Sequence, residues 1–320
     1  MTDNLPSTAA DLGEDGVIAL ATAALRPDPR VTVGPGDDAA VVTAPDGRVV
    51  ISTDAVVEGR HFRFDLTTPE HVGRRVIAQN AADIAAMGAV CTAFTVTLGC
   101  PPDTPSAVLA GISAGVAAGA AQVGGVVVGG DVVRTEQVVV SVTALGDLEG
   151  RSPVLLSGAR AGDVVALAGV VGRSAAGLAV LEAGVESPSE ECLDVYRVPR
   201  PPLTAGPSAA DAGATAMTDV SDGLIRDARA IARASGVALD LGALTPDDDV
   251  VSCAHAVGAD PYEWLYAGGE DHALLATFPP DIHLPQGFRR VGRVRAGHGV
   301  TIDGAPATVG GGWTSFGVKE

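Results

Sequence analysis

Apolar and polar positions along the chain follow two periods, and these periods predict helices alternating with strands. In the first half, apolar residues three and four apart predict helices, and short valine-rich runs predict strands. The predicted helices are 14–25, 69–87 and 106–122, and the predicted strands are 39–42, 48–53, 93–98, 126–128 and 137–144. The first two strands flank Pro45-Asp46-Gly47, so we predict that they pair as a hairpin.

A segment rich in glycine, charge and proline, 146–153, separates these elements from a second set. That set comprises predicted strands 163–168, 214–217, 273–278 and 289–294 and predicted helices 174–183 and 222–234. The chain has 320 residues, 47% of them apolar, which is enough to build two cores. We therefore predict an α/β (α+β) protein with two domains, residues 1–148 and 149–320.

Residues 104–130 carry no charge, but the run reads as a buried helix followed by a strand rather than a membrane span. Alanine and glycine dominate it, and no basic residues flank it. Gly111, Gly115 and Gly119 recur every four residues, which predicts that this helix lies close on a sheet.

The charge balance restricts the partners. Lys and Arg number 21 against 39 Asp and Glu, a net charge of −18, which disfavours nucleic acid and anionic membranes. A bound polyanion would need metal ions as intermediaries. The single lysine, Lys319, leaves neither a phosphate-loop lysine nor a buried Schiff-base lysine.

Cysteine usage and the N-terminus bear on location. The four cysteines form no C-x-x-C pair, which predicts free thiols rather than a zinc cluster or a disulfide framework. The N-terminal residues are polar and acidic, unlike a secretory signal. We expect a reducing, cytoplasmic location.

Acidic residues recur where a predicted strand or a glycine turn ends. A single aspartate at a turn usually bonds nearby backbone N–H groups, and Asp222 also reads as a helix N-cap. Several carboxylates close together repel one another unless cations neutralise them or protons bind to them. Oxygen ligands favour Mg²⁺ or Mn²⁺. Several ions clamping a polyphosphate, with ATP as the natural candidate, fit this set. The residues are Asp37, Asp38, Asp54, Asp131, Asp219, Asp222, Glu270 and Asp271, with Asp83 inside a helix that also holds Asn80.

Three other residues are candidates for ligand contact. Ser221 at a helix start and the glycine turns offer hydrogen bonds to phosphate oxygens. His61 lies just beyond Asp54 and is either a site residue or a loop histidine bonded to backbone. Trp313 either stacks on a flat ring or covers the edge of a core.

Eight motifs occur in one order over almost the whole chain: GPGDDAAVV, ISTDAVVEGRHF, QNAADIAAMGA, GGDVVRT, SGARAGD, GRSAAGL, TDVSDGL and GGED. Together they resemble the thiamine-monophosphate kinase family, in the superfamily that includes aminoimidazole ribonucleotide synthetase. The resemblance implies N-terminal domains that pair into a homodimer through a shared β-barrel. It also implies ATP and several Mg²⁺ ions, bound near the junction of the two domains.

The resemblance also implies roles for individual residues. Metal ligation falls to Asp38, Ser52, Thr53, Asp54, Asp83, Asp131, Asp219 and Asp222. Nucleotide binding falls to Gly130, Asp131 and Ser221, and thiamine monophosphate binding to His61, Glu270 and Trp313. This chain departs from the family at Leu156, where an arginine often contacts nucleotide, and at His272 and Ala273, where an aromatic residue and a glutamate are usual. The tail after Trp313 also lacks the common Asp-His pair.

The implied activity is direct in-line transfer of the γ-phosphoryl group of ATP to thiamine monophosphate, giving thiamine diphosphate. Two alternatives stay open. The first is a superfamily relative that uses ATP to activate an amide oxygen, and the second is a catalytically silent Mg²⁺–nucleotide-binding module. A purely structural acidic protein would show no response to Mg·ATP.

Overall fold

A computed structural model describes residues 8–33 and 41–308. The chain divides into two compact units. Unit 1 comprises Met1–Ile84 and Val90–Glu149, and unit 2 comprises Ala85–Ala89 and Gly150–Glu320. The predicted sites Asp38 and Trp313 lie outside the described residues.

Among its described residues, unit 1 contains a four-stranded sheet, a separate pair of short strands and three helices. Its helices are α1 (Ala9–Thr22), α2 (Pro69–Ala86, whose last two residues belong to unit 2) and α3 (Ser106–Gln122). Its strands are β1 (Val31–Val33), β2 (Val41–Val42), β3 (Val50–Val57), β4 (Val90–Cys100), β5 (Val126–Arg134) and β6 (Val139–Asp147). The sheet order is β3-β6-β4-β5, with β4 and β5 parallel, and β1 pairs separately with β2.

The hairpin predicted across Pro45-Asp46-Gly47 is wrong. The turn forms, since Gly47 N donates to Ala44 O at 2.9 Å, but the strands on either side do not pair. Instead β3 pairs antiparallel with β6 over eight residue pairs. The short β2 could not satisfy so many backbone groups, whereas β6 matches β3 along its full length.

The glycines of α3 pack against a helix, not against a sheet as predicted. A Cβ on Gly115 would overlap Glu70 O of α2, and one on Gly111 would lie 2.7 Å from the Pro69 Cβ. From the other side, a Cβ on Gly73 would overlap Ile112 O of α3. The two helix backbones therefore approach so closely that only glycine fits at the crossing.

Unit 2 contains a seven-stranded mixed sheet and six helices among its described residues. The strands are β7 (Val164–Ala168), β8 (Ala216–Val220), β9 (Ala238–Leu241), β10 (Ala273–Phe278), β11 (Phe288–Arg295), β12 (Gly299–Ile302) and β13 (Ala305–Pro306), in the order β13-β12-β9-β11-β7-β10-β8. The helices are α4 (Arg173–Ala183), α5 (Glu190–Arg197), α6 (Ala205–Asp211), α7 (Leu224–Ser235), α8 (Asp248–Val257) and α9 (Pro261–Ala267).

The unit 2 sheet has a core on each face because successive strand residues point to opposite sides. Val165 and Leu167 of β7 join a cluster that includes Ile231 of α7. Ala166 and Ala168 join a second cluster that includes α6. The sheet is thus buried on both sides, and the site residues of unit 2 lie at strand ends and connecting loops.

Neither a membrane-spanning helix nor a disulfide bond is found in the described part of the chain. No helix within the described ranges has the length and apolarity needed to cross a membrane. All four cysteines are buried and unpaired.

The helix crossing in unit 1 gives a stability prediction. Gly115→Ala will lower the free energy of unfolding by about 1–3 kcal/mol, because the steric overlap with Glu70 O outweighs the better helix propensity of alanine. Urea unfolding monitored by circular dichroism measures this change. Ala114→Ser, at an exposed position of the same helix, serves as control and should change the value by less than about 0.5 kcal/mol. An unchanged stability for Gly115→Ala would mean that the helices are not in backbone contact.

Candidate active site

Alternation along β3 separates its three predicted metal ligands onto two faces. Ser52 and Asp54 share one face, and Thr53 points to the other, where the chain is exposed. The Thr53 hydroxyl donates to Val142 O at 3.0 Å and accepts from the Thr143 hydroxyl at 3.2 Å. The structure therefore groups Ser52 with Asp54 and leaves Thr53 among neighbours of the sheet.

Helix α2 supplies the polar groups that face Ser52 and Asp54. The Ser52 hydroxyl donates to Asp83 Oδ2 at 2.6 Å, a short bond of the charge-assisted type. Gln79 Nε2 donates to Asp54 Oδ2 at 3.2 Å, and the Asn80 carbonyl accepts from the Asp54 backbone N–H at 3.0 Å. We call Ser52, Asp54, Gln79, Asn80 and Asp83 the strand–helix cluster.

The spacing on α2 explains how one helix makes these contacts. Gln79 and Asp83 are four residues apart and so lie on the same helix face. Asn80 is completely buried, and its amide donates to Val76 O at 2.7 Å, which fixes the orientation of its carbonyl. The helix thus holds Asp54 by both its backbone and its carboxylate.

Asp131 lies inside β5, not at the end of a strand as predicted, because the strand continues to Arg134. It pairs with Thr97, and the register across the sheet puts it on the face of Thr53 rather than that of Asp54. Asp131 Oδ1 accepts from the Val132 N–H at 2.9 Å. Gly130 is required by packing, since a Cβ there would overlap Val96 O.

His61 follows β3 in a tight turn. Its Nδ1 accepts from the Val57 backbone N–H at 3.1 Å, which leaves Nε2 as the ring atom that carries the hydrogen. The backbone-bonded loop histidine and the site histidine are both compatible with this contact, because Nε2 is available to a ligand.

In unit 2, a buried histidine lies between two acidic side chains. Asp219 in β8 is 9% exposed, and its Oδ2 lies 3.0 Å from His272 Nδ1. Glu270 Oε2 lies 4.0 Å from His272 Nε2, an ion-pair distance that is too long for a hydrogen bond. Burial lowers the pKa of His272, but the interactions with Asp219 and Glu270 outweigh it and raise the pKa to about 10. We call Asp219, Asp222, Asp227, Glu270 and His272 the acidic loop cluster.

The turn after β8 brings more carboxylates into this cluster. Asp222 is not the N-cap of α7 as one interpretation had it, because the helix begins at Leu224 after Gly223. Its carboxylate pairs with Arg226 at 3.2 Å, and its N–H donates to Asp227 Oδ2 at 3.1 Å. Burial and the neighbouring charge of Asp219 raise the pKa of Asp227 to about 7.

The loop carrying Glu270 is held against Ser221 by backbone contacts. Glu270 N donates to Ser221 O at 2.7 Å. A Cβ on Gly269 would lie 2.7 Å from the same oxygen, so this position requires glycine. Glu270 and His272 both have positive φ, 68° and 54°, a conformation that persists only where the surroundings enforce it.

Asp271 has a separate structural role between these two residues. It is fully enclosed, and its carboxylate accepts from the backbone N–H groups of Gly172 at 2.6 Å and Ser174 at 2.8 Å. These donors are at the start of α4, where the helix dipole favours a negative charge. Asp271 therefore anchors the loop to α4.

The donor chemistry of both clusters fits magnesium. Carboxylate and hydroxyl oxygens are the ligands that Mg²⁺ prefers. Burial first, and the charge of Asp219 second, raise the pKa of Asp227. Within the described ranges, no group of three or more His, Cys, Asp or Glu is arranged to hold a metal ion by itself. Mg²⁺ usually completes its coordination with water and substrate phosphates, so a partial protein set is what a nucleotide site provides.

Sequence reasoning assigns no role to three residues of these sites, Gln79, Asp227 and His272. It counted Asp271 among the acidic residues that hold cations, whereas the carboxylate bonds the first N–H groups of α4. A signal existed for Gln79, which lies four residues before Asp83 on a predicted helix. His272 was visible only as a departure from the family pattern. Its contact with Asp219 depends on the pairing of β8 with β10, which the sequence pattern does not give.

Comparison with known proteins identifies the class. The family model for "AIR synthase related protein, N-terminal domain" matches residues 36–148. The structure of AaThiL complexed with AMPPCP and TMP is similar, with a TM-score of 0.78, 29% identity, and coverage of 98% of this chain and 100% of that one. Hydrogenase Maturation Protein HypE, 14% identical with a TM-score of 0.74 over 94% of this chain and 98% of that one, shares the fold. The family-model match and the fold define a protein of the AIR synthase-related class.

Relatives with similar sequences show the family within this class to which the chain belongs. The thiamine-monophosphate kinase of Mycobacterium tuberculosis is 50% identical over 317 residues, covering 98% of this chain and 94% of the relative. That of Corynebacterium glutamicum is 39% identical, covering 97% of this chain and 95% of the relative. The chain belongs to the thiamine-monophosphate kinase family.

Asp271 gives a prediction about pH. Burial raises its pKa to about 7 although the two backbone N–H groups lower it. The unfolded chain therefore loses this proton first as pH rises from about 4, and stability falls by up to about 1.4 kcal/mol per pH unit until the folded-state pKa is passed. Asp271→Asn removes this dependence, so its melting temperature will change less between pH 5 and pH 7 than that of the wild type.

Melting scans in metal-free buffer measure this difference. The absolute stability of Asp271→Asn will be lower at pH 5, because an amide oxygen replaces only one of two acceptors. Asp65→Asn is the control, since the hydrogen bond from Arg63 lowers the pKa of Asp65 and its titration ends below this window. Identical slopes for the wild type and Asp271→Asn would contradict the prediction.

Proposed function

We propose that this protein transfers the γ-phosphoryl group of ATP directly to the phosphate of thiamine monophosphate, with several Mg²⁺ ions. Family membership supports the reaction, and the AaThiL structure is described as a complex with AMPPCP and TMP. The observation in this structure that carries the proposal is the strand–helix cluster. There Ser52, Asp54 and Asp83 present hydroxyl and carboxylate oxygens on one side of β3 and α2.

Within unit 1, Asp54 and Asp83 are the proposed principal ligands. Gln79 and Asn80 hold Asp54 from both its carboxylate and its backbone, so its orientation is set before any ligand arrives. Ser52 orients Asp83 in the same way. Thr53 and Asp131, on the other face of the sheet, keep their proposed ligand roles through the resemblance alone, as does Asp38.

Within unit 2, Asp219 and Asp222 are the proposed metal ligands. The proposed nucleotide contacts are Ser221 in unit 2 and Gly130-Asp131 in unit 1. Asp222 is half-buried and already paired with Arg226, so a cation would have to compete with a guanidinium there. Glu270, His61 and Trp313 are the proposed contacts of thiamine monophosphate. The available Nε2 of His61 supports a hydrogen bond to that substrate.

The acceptor needs little help from the protein to become a nucleophile. The second pKa of a phosphate monoester is about 6, so the attacking oxygen is already anionic at neutral pH. The task left to the chain is to bring two polyanions together and to hold them in line. Bound Mg²⁺ ions would neutralise phosphate charge and stabilise the charge that develops during transfer. The clusters described above orient carboxylates for that purpose.

The part of the unit 1 sheet along β3 supports the proposed homodimer. Ile51, Thr53 and Ala55 alternate with the site residues of β3 and are exposed, Ile51 by 66%. Pairing of two copies would remove this apolar side chain from water, which is favourable. We propose that two copies pair through this face, as the family resemblance implies.

Product analysis tests the proposed reaction. The protein mixed with thiamine monophosphate, ATP and Mg²⁺ will form thiamine diphosphate and ADP in equal amounts. Release of ADP only with an amide substrate would support the synthetase alternative instead. Binding of Mg·ATP with no turnover on either substrate would identify a silent nucleotide-binding module.

Asp54→Ala will lower kcat at saturating ATP and Mg²⁺ by about 100-fold or more, because it removes a proposed ligand of the Mg²⁺ that would neutralise charge on the transferring group. Steady-state assays of thiamine diphosphate formation measure this loss. The control is Asp65→Ala, which removes an exposed carboxylate that pairs only locally with Arg63 and will keep kcat within about twofold. Near-normal turnover by Asp54→Ala would contradict its assignment.

Ile51→Lys will shift the protein from dimer to monomer, since a charge placed on the sheet face cannot be desolvated without a partner. Light scattering coupled to size-exclusion chromatography measures the mass of the particle. Ile18→Lys, at another exposed isoleucine on α1, is the control and will leave the mass unchanged. A monomeric wild type would disprove the dimer.

A further inference from the structure

His272 joins two acidic residues that the proposed function assigns to different ligands. The imidazole is 3% exposed, and its Nδ1 lies 3.0 Å from Asp219 Oδ2. Its Nε2 is buried and has no hydrogen-bond partner in the described part of the chain, with Glu270 Oε2 4.0 Å away. One ring therefore faces a proposed metal ligand with one nitrogen and a proposed substrate contact with the other.

The direction of the first hydrogen bond follows from the chemistry of the partners. An ionised carboxylate only accepts, so Nδ1 carries a hydrogen and donates it to Asp219. The ring is 3% exposed and so is enclosed by its neighbours, and its backbone is fixed because the His272 N–H donates to Val220 O at 2.9 Å and φ is positive. Asp219 is therefore held by a rigid donor.

The second nitrogen has an unmet requirement. A buried polar atom without a partner costs free energy, and the carboxylate of Glu270 faces this nitrogen. The Glu270 side chain is 35% exposed, and its Oε2 lies about 1 Å beyond hydrogen-bond distance of Nε2. A small shift of Glu270 towards the ring on ligand binding would complete this contact.

We propose that His272 is a positioning residue, which holds Asp219 through Nδ1 for cation binding and holds Glu270 through Nε2 for binding of the phosphate acceptor. This inference rests on the proposed function for the roles of Asp219 and Glu270. A histidine in this place joins the two binding functions of unit 2 through one side chain. Loss of either ring nitrogen should then impair one function and spare the other.

Two amide substitutions separate the two contacts of the ring, which we call the arm towards Asp219 (through Nδ1) and the arm towards Glu270 (through Nε2). In His272→Asn the amide replaces Nδ1, so the bond to Asp219 is kept and the arm towards Glu270 is lost. In His272→Gln the amide reaches the position of Nε2, so the arm towards Glu270 is kept and the bond to Asp219 is lost. His272→Phe fills the same space and removes both arms.

The expected results cross over. His272→Gln will raise the Mg²⁺ concentration for half-maximal activity by about 10–100-fold, the usual effect of removing a group that orients a metal ligand, with KM for thiamine monophosphate near the wild-type value. His272→Asn will raise KM for thiamine monophosphate about tenfold and leave the Mg²⁺ dependence unchanged. His272→Phe will show both changes.

A measurement without turnover accompanies the kinetics. The rise in melting temperature caused by Mg²⁺ with AMPPCP, compared with AMPPCP alone, will be smaller in His272→Gln and His272→Phe and normal in His272→Asn. If the wild type forms no thiamine diphosphate, the proposed function fails, and this shift still reports whether His272 supports cation binding.

A merely structural histidine would give a different pattern. All three variants would then melt at lower temperature, with the same Mg²⁺ dependence and the same KM as the wild type. That result would overturn the proposal, and so would the same kinetic change in His272→Asn and His272→Gln. Should His272→Phe fail to fold, the two amide variants carry the comparison.

Discussion

The free-energy cost of taking carboxylates partly out of water is the constraint to which both clusters are adapted. In the strand–helix cluster, neutral donors satisfy the acids: Ser52 bonds Asp83, and Gln79 bonds Asp54. In the acidic loop cluster, a proton and an imidazole do so, since the pKa of Asp227 is raised and His272 contacts Asp219. Each arrangement fixes the orientation of carboxylate oxygens, the ligand type that Mg²⁺ prefers.

Close backbone packing makes these orientations possible. Helix α2 carries Gln79 and Asp83 to β3, and the glycine crossing at Gly73 and Gly115 fixes that helix against α3. In unit 2, glycine at 269 lets the loop reach Ser221 O and present Glu270. The backbone positions of the site residues are therefore set by main-chain contacts that tolerate no added atoms.

Local patterns predicted some elements well and their partners poorly. The helix 106–122 and the strand 273–278 have the predicted bounds because periodicity and flanking proline or glycine define them locally. Strand pairing is non-local, so the predicted hairpin across 45–47 was wrong. Strand β3 pairs instead with β6, almost ninety residues away in the chain. The motifs predicted the chemical type of the proposed ligands, which are carboxylate and hydroxyl oxygens. Which side of the sheet each residue takes was not, because Asp54 and Asp131 separate only through the register of four strands.

The loop 270–272 shows why a motif alone does not assign roles. Three consecutive residues have three different contacts. Glu270 is partly exposed and has a positive φ, and the buried carboxylate of Asp271 accepts hydrogen bonds from the first N–H groups of α4. The ring of His272 contacts Asp219. Neighbouring side chains of an irregular loop point in unrelated directions, so neither a period of two nor one of 3.6 describes them. A substitution at 272 therefore alters the surroundings of Asp219, fifty-three positions earlier in the chain, more directly than those of Asp271 beside it. Under the proposed function, the departure from the family pattern at 272 changes the contacts of Asp219 and leaves Asp219 itself in place.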